Sequence, residues 1–238
     1  MLGIIGGSGF YKIVKGEERH VETPYGWRKV SLGRIGGGKI AFIARHGEYH
    51  TVPPHRINHR ANLYALHKVG AKSIVGINAC GIISKFKPGE IMTIDDFLAF
   101  HIGPVTFHES FAGGAKHEDM SEPYSRKLNA LIARAGGKAK IAVKSGGIVA
   151  TTFGPRFETP AEIRAFGMLG ANLVSMTSAY EAILARELGA NYSSIAIGTN
   201  YAAGVSKNRL SHAEVIGMME KNEARVIKIV GGLAGSMG

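Results

Sequence analysis

The sequence predicts an α/β protein with a largely parallel central sheet. Three observations carry that expectation: short runs of branched apolar residues with no polar face, helical patterns between them, and local signatures of helix starts. Strands that are apolar on both faces suit a sheet covered by helices on each side. A chain of 238 residues can bury one substantial core, so a single domain over 1–238 is expected.

The first strand is the apolar start Met1 to Ile5, ended by the glycines and serine of IGGSGFY (5–11). Further strands are expected at KIAFIA (39–44), SIVGIN (73–78), IMTIDDFL (91–98), NLVSM (172–176) and YSSIAIG (192–198), and helices over 57–69, 123–135, 160–169, 179–188 and 212–230. Three helix starts carry the pattern in which a hydroxyl cap and a carboxylate three residues on satisfy each other's backbone N–H groups. These are TPAE (Thr159, Glu162), SAYE (Ser178, Glu181) and SHAE (Ser211, Glu214). Helix N-termini present unpaired N–H groups and a dipole that favours anions, which makes the adjacent Glu158, Thr177 and His212 positional candidates for a site. The stretch 101–122 is the longest irregular segment, of the kind that is functional or mobile. There is no repeat, low-complexity tract or Pro/Ser-rich linker.

The formal net charge is +11, which suggests an anionic partner. Lysine and arginine are scattered, without a like-charge run or an aromatic platform, so a small anionic substrate accounts for the charge at least as well as nucleic acid. No apolar run approaches the roughly 18 residues of a membrane span. The start MLGIIGGSGF has no basic leader and is broken by glycine, so it is not expected to be a signal peptide. Cys80 stands alone, which rules out an internal disulfide and suggests a reducing cytoplasm.

Several motifs fail on inspection. A dinucleotide fingerprint from Gly7 and Gly9 needs glycine at 12, where Lys12 stands. GRIGGGKI (33–40) lacks the Ser or Thr of a phosphate loop and runs into a strand, so a hairpin turn is expected. His46, His50, His55 and His59 are split by Pro53 and Pro54, and no cysteine or carboxylate completes a metal ligand set. Asp95 and Asp96, adjacent on a strand, face opposite ways.

Other features converge. Arg45 and His46 end one strand, and a guanidinium fork beside an imidazole donor suits a phosphate. INACG (77–81) ends the next strand with small residues that let backbone N–H groups approach a ligand. With GGSG this gives three strand ends bearing anion-binding groups, and ligands of open α/β sheets sit beyond such ends.

Six segments, GIIGGSGFY, ARHGEYHTVPPHRINHRANLYAL, INACGII, GPRFETPAEI, NLVSMT and TNYAAG, occur in the order and at about the spacing of one family. Through them the chain resembles the purine nucleoside phosphorylase and methylthioadenosine phosphorylase family over nearly its whole length. The resemblance implies a mixed, distorted sheet flanked by helices, assembly as a trimer or dimer of trimers, and phosphorolysis of a purine nucleoside to free base and ribose 1-phosphate. It implies no metal or organic cofactor; inorganic phosphate is a co-substrate.

By the same resemblance Ser8, Arg45, His46, the backbone of Asn78 and Ala79, and Thr177 bind phosphate, with His46 also catalytic. Met176 lies under the sugar, Phe157 against the base, and Asn200 and Glu158 are the catalytic contacts to the purine. Asn200 matches O6 and N7 of a 6-oxopurine, and Glu158 accepts from N1–H, a hydrogen absent from neutral adenine. His212 matches a histidine near a free 5′-hydroxyl, and His117 a residue lent to the neighbouring subunit's pocket. Tyr180 replaces the usual proline in TSAYE, while GPRF and the overall length are closer to the methylthioadenosine branch. Inosine and guanosine are the expected substrates, with 5′-methylthioadenosine or 5′-methylthioinosine as alternatives. A basic protein that binds nucleic acid or nucleosides without turnover is the rival from another class.

Overall fold

The computed structural model describes residues 1–11 and 13–237. Its strands are β1 (Leu2–Gly6), β2 (Gly16–Val21), β3 (Arg28–Ile35), β4 (Gly38–Ala44), β5 (Ser73–Ile82), β6 (Ile91–His101), β7 (Val143–Thr152), β8 (Leu173–Ser175) and β9 (Asn191–Tyr201). The helices are α1 (His59–Lys68), α2 (Arg126–Lys138), α3 (Pro160–Met168), α4 (Ser178–Glu187) and α5 (His212–Gly235). The strands form one sheet in the order β2-β3-β4-β1-β5-β8-β7-β6-β9, and a further pairing of β9 with β5 closes the last five into a ring. Of the described pairings, β1 with β4, β1 with β5, β5 with β9, β6 with β7 and β7 with β8 are parallel. The remainder, in the β2-β3-β4 meander and at β5–β8 and β6–β9, are antiparallel. The sheet is therefore mixed, with a narrower parallel majority than the apolar runs alone suggest.

Strand periodicity places the core on both faces. Leu2 and Ile4 of β1, with Ile40 and Phe42 of β4, pack with Leu128 and Ile132 of α2 and Ile229 and Leu233 of α5. Ile5, Ala41 and Ile43 turn to the other face and meet Leu63 and Leu66 of α1 and Leu184 of α4. Fully burying such a side chain contributes roughly 1.5–3 kcal/mol. Strands β2, β3 and β7 escape the search for apolar runs. β2, GEERHV, is exposed along all but its last residue, and β7 begins Val-Lys-Ser-Gly-Gly before its buried half.

Helix starts follow the capping chemistry with one exception. Thr159 and Glu162 form the complete reciprocal box at α3, and Ser211 accepts from Glu214 N at 3.2 Å at α5. The expected box at Ser178 is not formed: Thr177 is the cap position of α4 and makes no side-chain capping bond, Ser178 Oγ lies 2.7 Å from the Tyr124 hydroxyl, and Glu181 turns into the core. The competing pull is an arginine from another part of the chain, described below. The expected hairpin forms at Gly36–Gly37, joining β3 to β4. The irregular segment between β6 and α2 is tied to the end of α4, where Glu187 accepts from Thr106 Oγ1 at 2.7 Å and from Phe107 N. Among the described residues no helix is long and apolar enough to cross a membrane.

The hairpin turn is a tight main-chain contact as well as a turn. Gly36 has φ of 56°, and a Cβ there would stand 2.2 Å from the carbonyl oxygen of Gly231 in α5, whereas Gly37, with φ of 83°, has open space around it. Gly36→Ala is expected to lower unfolding free energy in urea by about 2–4 kcal/mol, and Gly37→Asn by less than about 1 kcal/mol. Equal effects at the two positions would show that the α5 contact does not constrain the turn.

Candidate active site

The site lies where one strand changes neighbours. β5 runs beside β9 throughout, but its other edge pairs with β1 over Ser73–Gly76 and with β8 only at Gly81 and Ile82. Residues 77–80 thus have no described strand partner on that side, and the register with β9 shifts at Cys80/Gly81. Parting strands of an α/β sheet leave a crevice at their carboxyl ends, and irregular pairing is common beside such sites. A cavity of about 610 Å³ occupies it, with walls that include Ser8 after β1, Arg45 and His46 after β4, Ala79 in β5, Met176 and Thr177 after β8, and Asn200 in β9.

Arg45 is almost wholly buried, and its guanidinium is clamped. Nε and Nη2 donate to the two carboxylate oxygens of Glu181 at 2.5 and 3.0 Å, and Nη1 donates to the free carbonyl of Ile77 at 2.9 Å. Burial works against this charge, and the Glu181 carboxylate more than offsets it, so the pKa of Arg45 stands above the ordinary arginine value. Tyr192 donates to Glu181 Oε2 at 2.6 Å from beneath. Two glycines make room: a Cβ on Gly7 would lie 2.5 Å from Arg45 Nη1, and one on Gly76 would lie 2.3 Å from the Tyr192 hydroxyl and 2.7 Å from Glu181 Oε2. Three of the five guanidinium N–H groups are used, which leaves two to offer an anion.

The rest of this end is also held from behind. Ser8 occupies a tight turn closed by Phe10 N to Gly7 O at 3.0 Å, with Gly9 at φ of 79°. The side chain of Asn78 supports the wall from behind, donating to Thr177 Oγ1 at 2.9 Å and accepting from Ser194 Oγ at 2.8 Å, and Ala79 reaches the cavity. Thr177 Oγ1 is the acceptor in its bond from Asn78 Nδ2, so that bond leaves its own hydroxyl hydrogen available. His46 differs from expectation. Its Nδ1 lies 2.8 Å from the carbonyl of Val52, so Nδ1 carries the hydrogen, and burial and the Arg45 charge push the pKa down to about 4. A neutral His46 therefore presents Nε2 as an acceptor, where a donor was expected.

At the opposite end, Glu158 is buried just before the α3 cap and accepts from Thr152 Oγ1 at 2.6 Å. Burial raises its pKa, and the Thr152 bond works against the rise. Asn200 Oδ1 accepts from Thr199 Oγ1 at 2.7 Å, and Nδ2 donates to the Tyr201 carbonyl at 3.0 Å. The Tyr201 carbonyl, which can only accept, thus fixes the amide so that one Nδ2 hydrogen is left over. Phe157 flanks this end and Met176 is on the cavity wall, while His212, first residue of α5, lies between Leu210 and Val215 on the remaining wall. His117 lies outside this cavity, in a smaller one of about 320 Å³ with Phe111 and Glu187.

Sequence reasoning missed Glu181 as more than a cap, Thr199, and the pair His50 and Tyr11. It also left Tyr180 without a role. Tyr180 stacks on the buried His59, with ring centres 4.8 Å apart and planes 2° apart. Of the histidines first considered together, His46 and His50 meet His212, whereas His59 lies behind Glu181 and His55 is exposed. A matched residue spacing could not have paired Arg45 with Glu181, Tyr11 with His50, His50 with His212 or His59 with Tyr180, since these contacts join distant segments.

The model of the phosphorylase superfamily matches residues 1–234. The chain belongs to that superfamily. Among similar members of the phosphorylase superfamily, a 6-oxopurine nucleoside phosphorylase of Pyrococcus furiosus is 39% identical over 238 residues, covering 96% of this chain and 90% of that one. An S-methyl-5′-thioinosine phosphorylase of Methanopyrus kandleri, assigned as probable, is 40% identical over 232 residues with coverages of 96% and 90%. The solved methylthioadenosine phosphorylase of Schistosoma mansoni in complex with adenine superposes with a TM-score of 0.93 at 30% identity, covering all of this chain and 91% of that one. The expected mixed, helix-flanked sheet is thus the superfamily's architecture in this chain.

Two buried imidazoles give this superfamily member a defined acid response. His59 has no hydrogen-bond partner at either ring nitrogen, and burial pushes its pKa down to about 3. The unfolded chain takes up protons near pH 6.5, and the folded chain resists them until about 3 at His59 and about 4 at His46. Stability is therefore present above about pH 6.5 and is lost as pH falls, by up to about 1.4 kcal/mol per pH unit for each group. His59→Phe, which keeps the stack on Tyr180, is expected to flatten the urea-measured stability profile between pH 6.5 and 4. An unchanged slope would mean that His59 is protonated in the folded protein.

Proposed function

We propose that this chain is a purine nucleoside phosphorylase that cleaves inosine and guanosine with inorganic phosphate. The observation that carries the reading is a single cavity with anion-holding groups at one end, Ser8, Arg45, His46 and Thr177, and a buried carboxylate and amide, Glu158 and Asn200, at the other. In this reading the ribose lies between phosphate and base. The relatives named as 6-oxopurine and methylthioinosine phosphorylases support the substrate class.

In this reading the phosphate is a nucleophile aimed at C1′ of the ribose. The new C1′–O bond forms as the C1′–N9 bond breaks, and the electron pair passes to the purine. Negative charge then appears on the base, where the spare Nδ2 hydrogen of Asn200 stabilises it at N7 and O6. Glu158 accepts from N1–H, which selects 6-oxopurines. Hydrogen phosphate has one proton more than the phosphate of the product, and that proton ends on the purine. Nε2 of neutral His46 suits a P–OH group, and Arg45 and Ser8 donate to the other oxygens. The reaction moves no electrons to an external acceptor, so the proposal includes no organic cofactor or metal.

By the family resemblance at His212, the sugar's 5′ end is placed at the wall made of His50, Leu210, His212 and Val215. Leu210 and Val215 make a second substrate, S-methyl-5′-thioinosine, compatible with this wall. Assembly as a trimer or dimer of trimers is part of the proposal, supported by the exposed Phe100, Met168 and Leu169, and would place His117 at a subunit boundary. A cytoplasmic location fits the lone buried Cys80.

Incubation with phosphate and, separately, inosine, guanosine, adenosine and 5′-methylthioadenosine should release hypoxanthine and guanine far faster than adenine. Adenine release well above hypoxanthine release would overturn the 6-oxopurine assignment, and salt-sensitive oligonucleotide binding without phosphorolysis would favour a non-catalytic role. Ser8→Ala removes a hydrogen bond to an anion, so the phosphate KM should rise about ten- to a hundredfold while the inosine KM stays within about twofold. Equal losses for both substrates would remove Ser8 from the phosphate end.

A further inference from the structure

His50 stands on the cavity wall in the left-handed backbone region, at φ of 53°, where glycine or asparagine would sit with less strain. Its ring lies 4.6 Å from that of His46 on one side and 5.3 Å from that of His212 on the other. The Tyr11 hydroxyl is 2.9 Å from His50 Nδ1 and approaches from outside the cavity wall, in line with an edge-on ring contact at 5.7 Å. A phenol is a stronger donor than acceptor, and an unprotonated imidazole nitrogen is a good acceptor, so Tyr11 O–H donates to Nδ1. The hydrogen of the neutral ring then sits on Nε2, the nitrogen Tyr11 leaves unengaged. His46 is fixed in the opposite tautomer by Val52, so the wall presents an acceptor at the phosphate end and, one ring further on, a donor.

We propose that His50 donates Nε2–H to the 5′-hydroxyl oxygen of the nucleoside and that Tyr11 is the positioning residue that fixes this tautomer. The inference rests on the phosphorylase reading above and deepens it by naming what recognises the sugar's 5′ end. A hydroxyl oxygen accepts such a hydrogen well and a thioether sulfur poorly, so the pair discriminates between 5′-hydroxy and 5′-methylthio nucleosides. Burial and the adjacent His212 hold the His50 pKa below the ordinary histidine value, which keeps the ring neutral with a single N–H to direct.

The test compares kcat/KM for inosine, 5′-deoxyinosine and 5′-methylthioinosine, with the phosphate KM, in the unaltered chain, Tyr11→Phe and His50→Asn. Asparagine tolerates the left-handed backbone and keeps an amide donor. Tyr11→Phe is expected to lower kcat/KM for inosine about three- to tenfold, chiefly through KM, and to change 5′-deoxyinosine and phosphate by less than about twofold. The preference for inosine over 5′-methylthioinosine should narrow by the same factor, and His50→Asn should retain part of it. Equal losses on all three nucleosides, no loss on any, or a rise confined to the phosphate KM would each overturn the Tyr11–His50 assignment. Failure of the unaltered chain to release base from any nucleoside would instead overturn the phosphorylase reading beneath it.

Discussion

The guanidinium of Arg45 and the carboxylate of Glu181 meet in the interior with almost no solvent contact, and the end of the cavity proposed to hold phosphate is arranged around them. Each charge is costly to bury alone, and breaking such a pair by removing one partner typically costs about 3–5 kcal/mol. The pair in turn dictates its surroundings. Gly7 and Gly76 have no side chains because the pair and its Tyr192 support occupy that space, and Ile77 offers a carbonyl because no strand claims it. Since Glu181 neutralises Arg45, the arginine recruits an anion through the direction of its spare N–H groups more than through net charge.

Neutrality recurs across the cavity. His46 and His50 are held below the ordinary histidine pKa by burial and by cationic or imidazole neighbours. A neutral imidazole has one donor and one acceptor, so a fixed hydrogen-bond partner decides what it shows to a ligand. Val52 makes that choice for His46 from its main chain, and Tyr11 for His50 from a side chain. Under the proposed reading, recognition at this wall is set by which nitrogen holds a hydrogen, and protonation would erase the distinction.

Much of this arrangement was legible in the sequence. Apolar runs gave the buried strands, hydroxyl caps located α3 and α5, and the ordered motifs brought Ser8, Arg45, Thr177, Glu158, Asn200 and His212 to one cavity. The failures share a cause. Glu181 fits the local capping pattern as well as it fits the core, and only Arg45, 136 residues away, decides between them. β2 lacks an apolar face because it is the sheet's outer edge, and the polar first half of β7 hides a strand that its parallel neighbours recruit. Propensity and pattern report a residue's local options, and tertiary contacts choose among them.

The parting of β1 and β8 along β5 has a consequence for how such a pocket diversifies. Its span is fixed by hydrogen-bonded main chains on either side of residues 77–80, so it does not depend on which side chains fill the walls. Substrate preference can then be rewritten one wall at a time, through a tautomer here or an apolar contact there, while the opening in the sheet that frames the cavity stays the same. Relatives about 40% identical that are named as a probable 6-oxopurine nucleoside phosphorylase and a probable S-methyl-5′-thioinosine phosphorylase are the outcome such a frame allows.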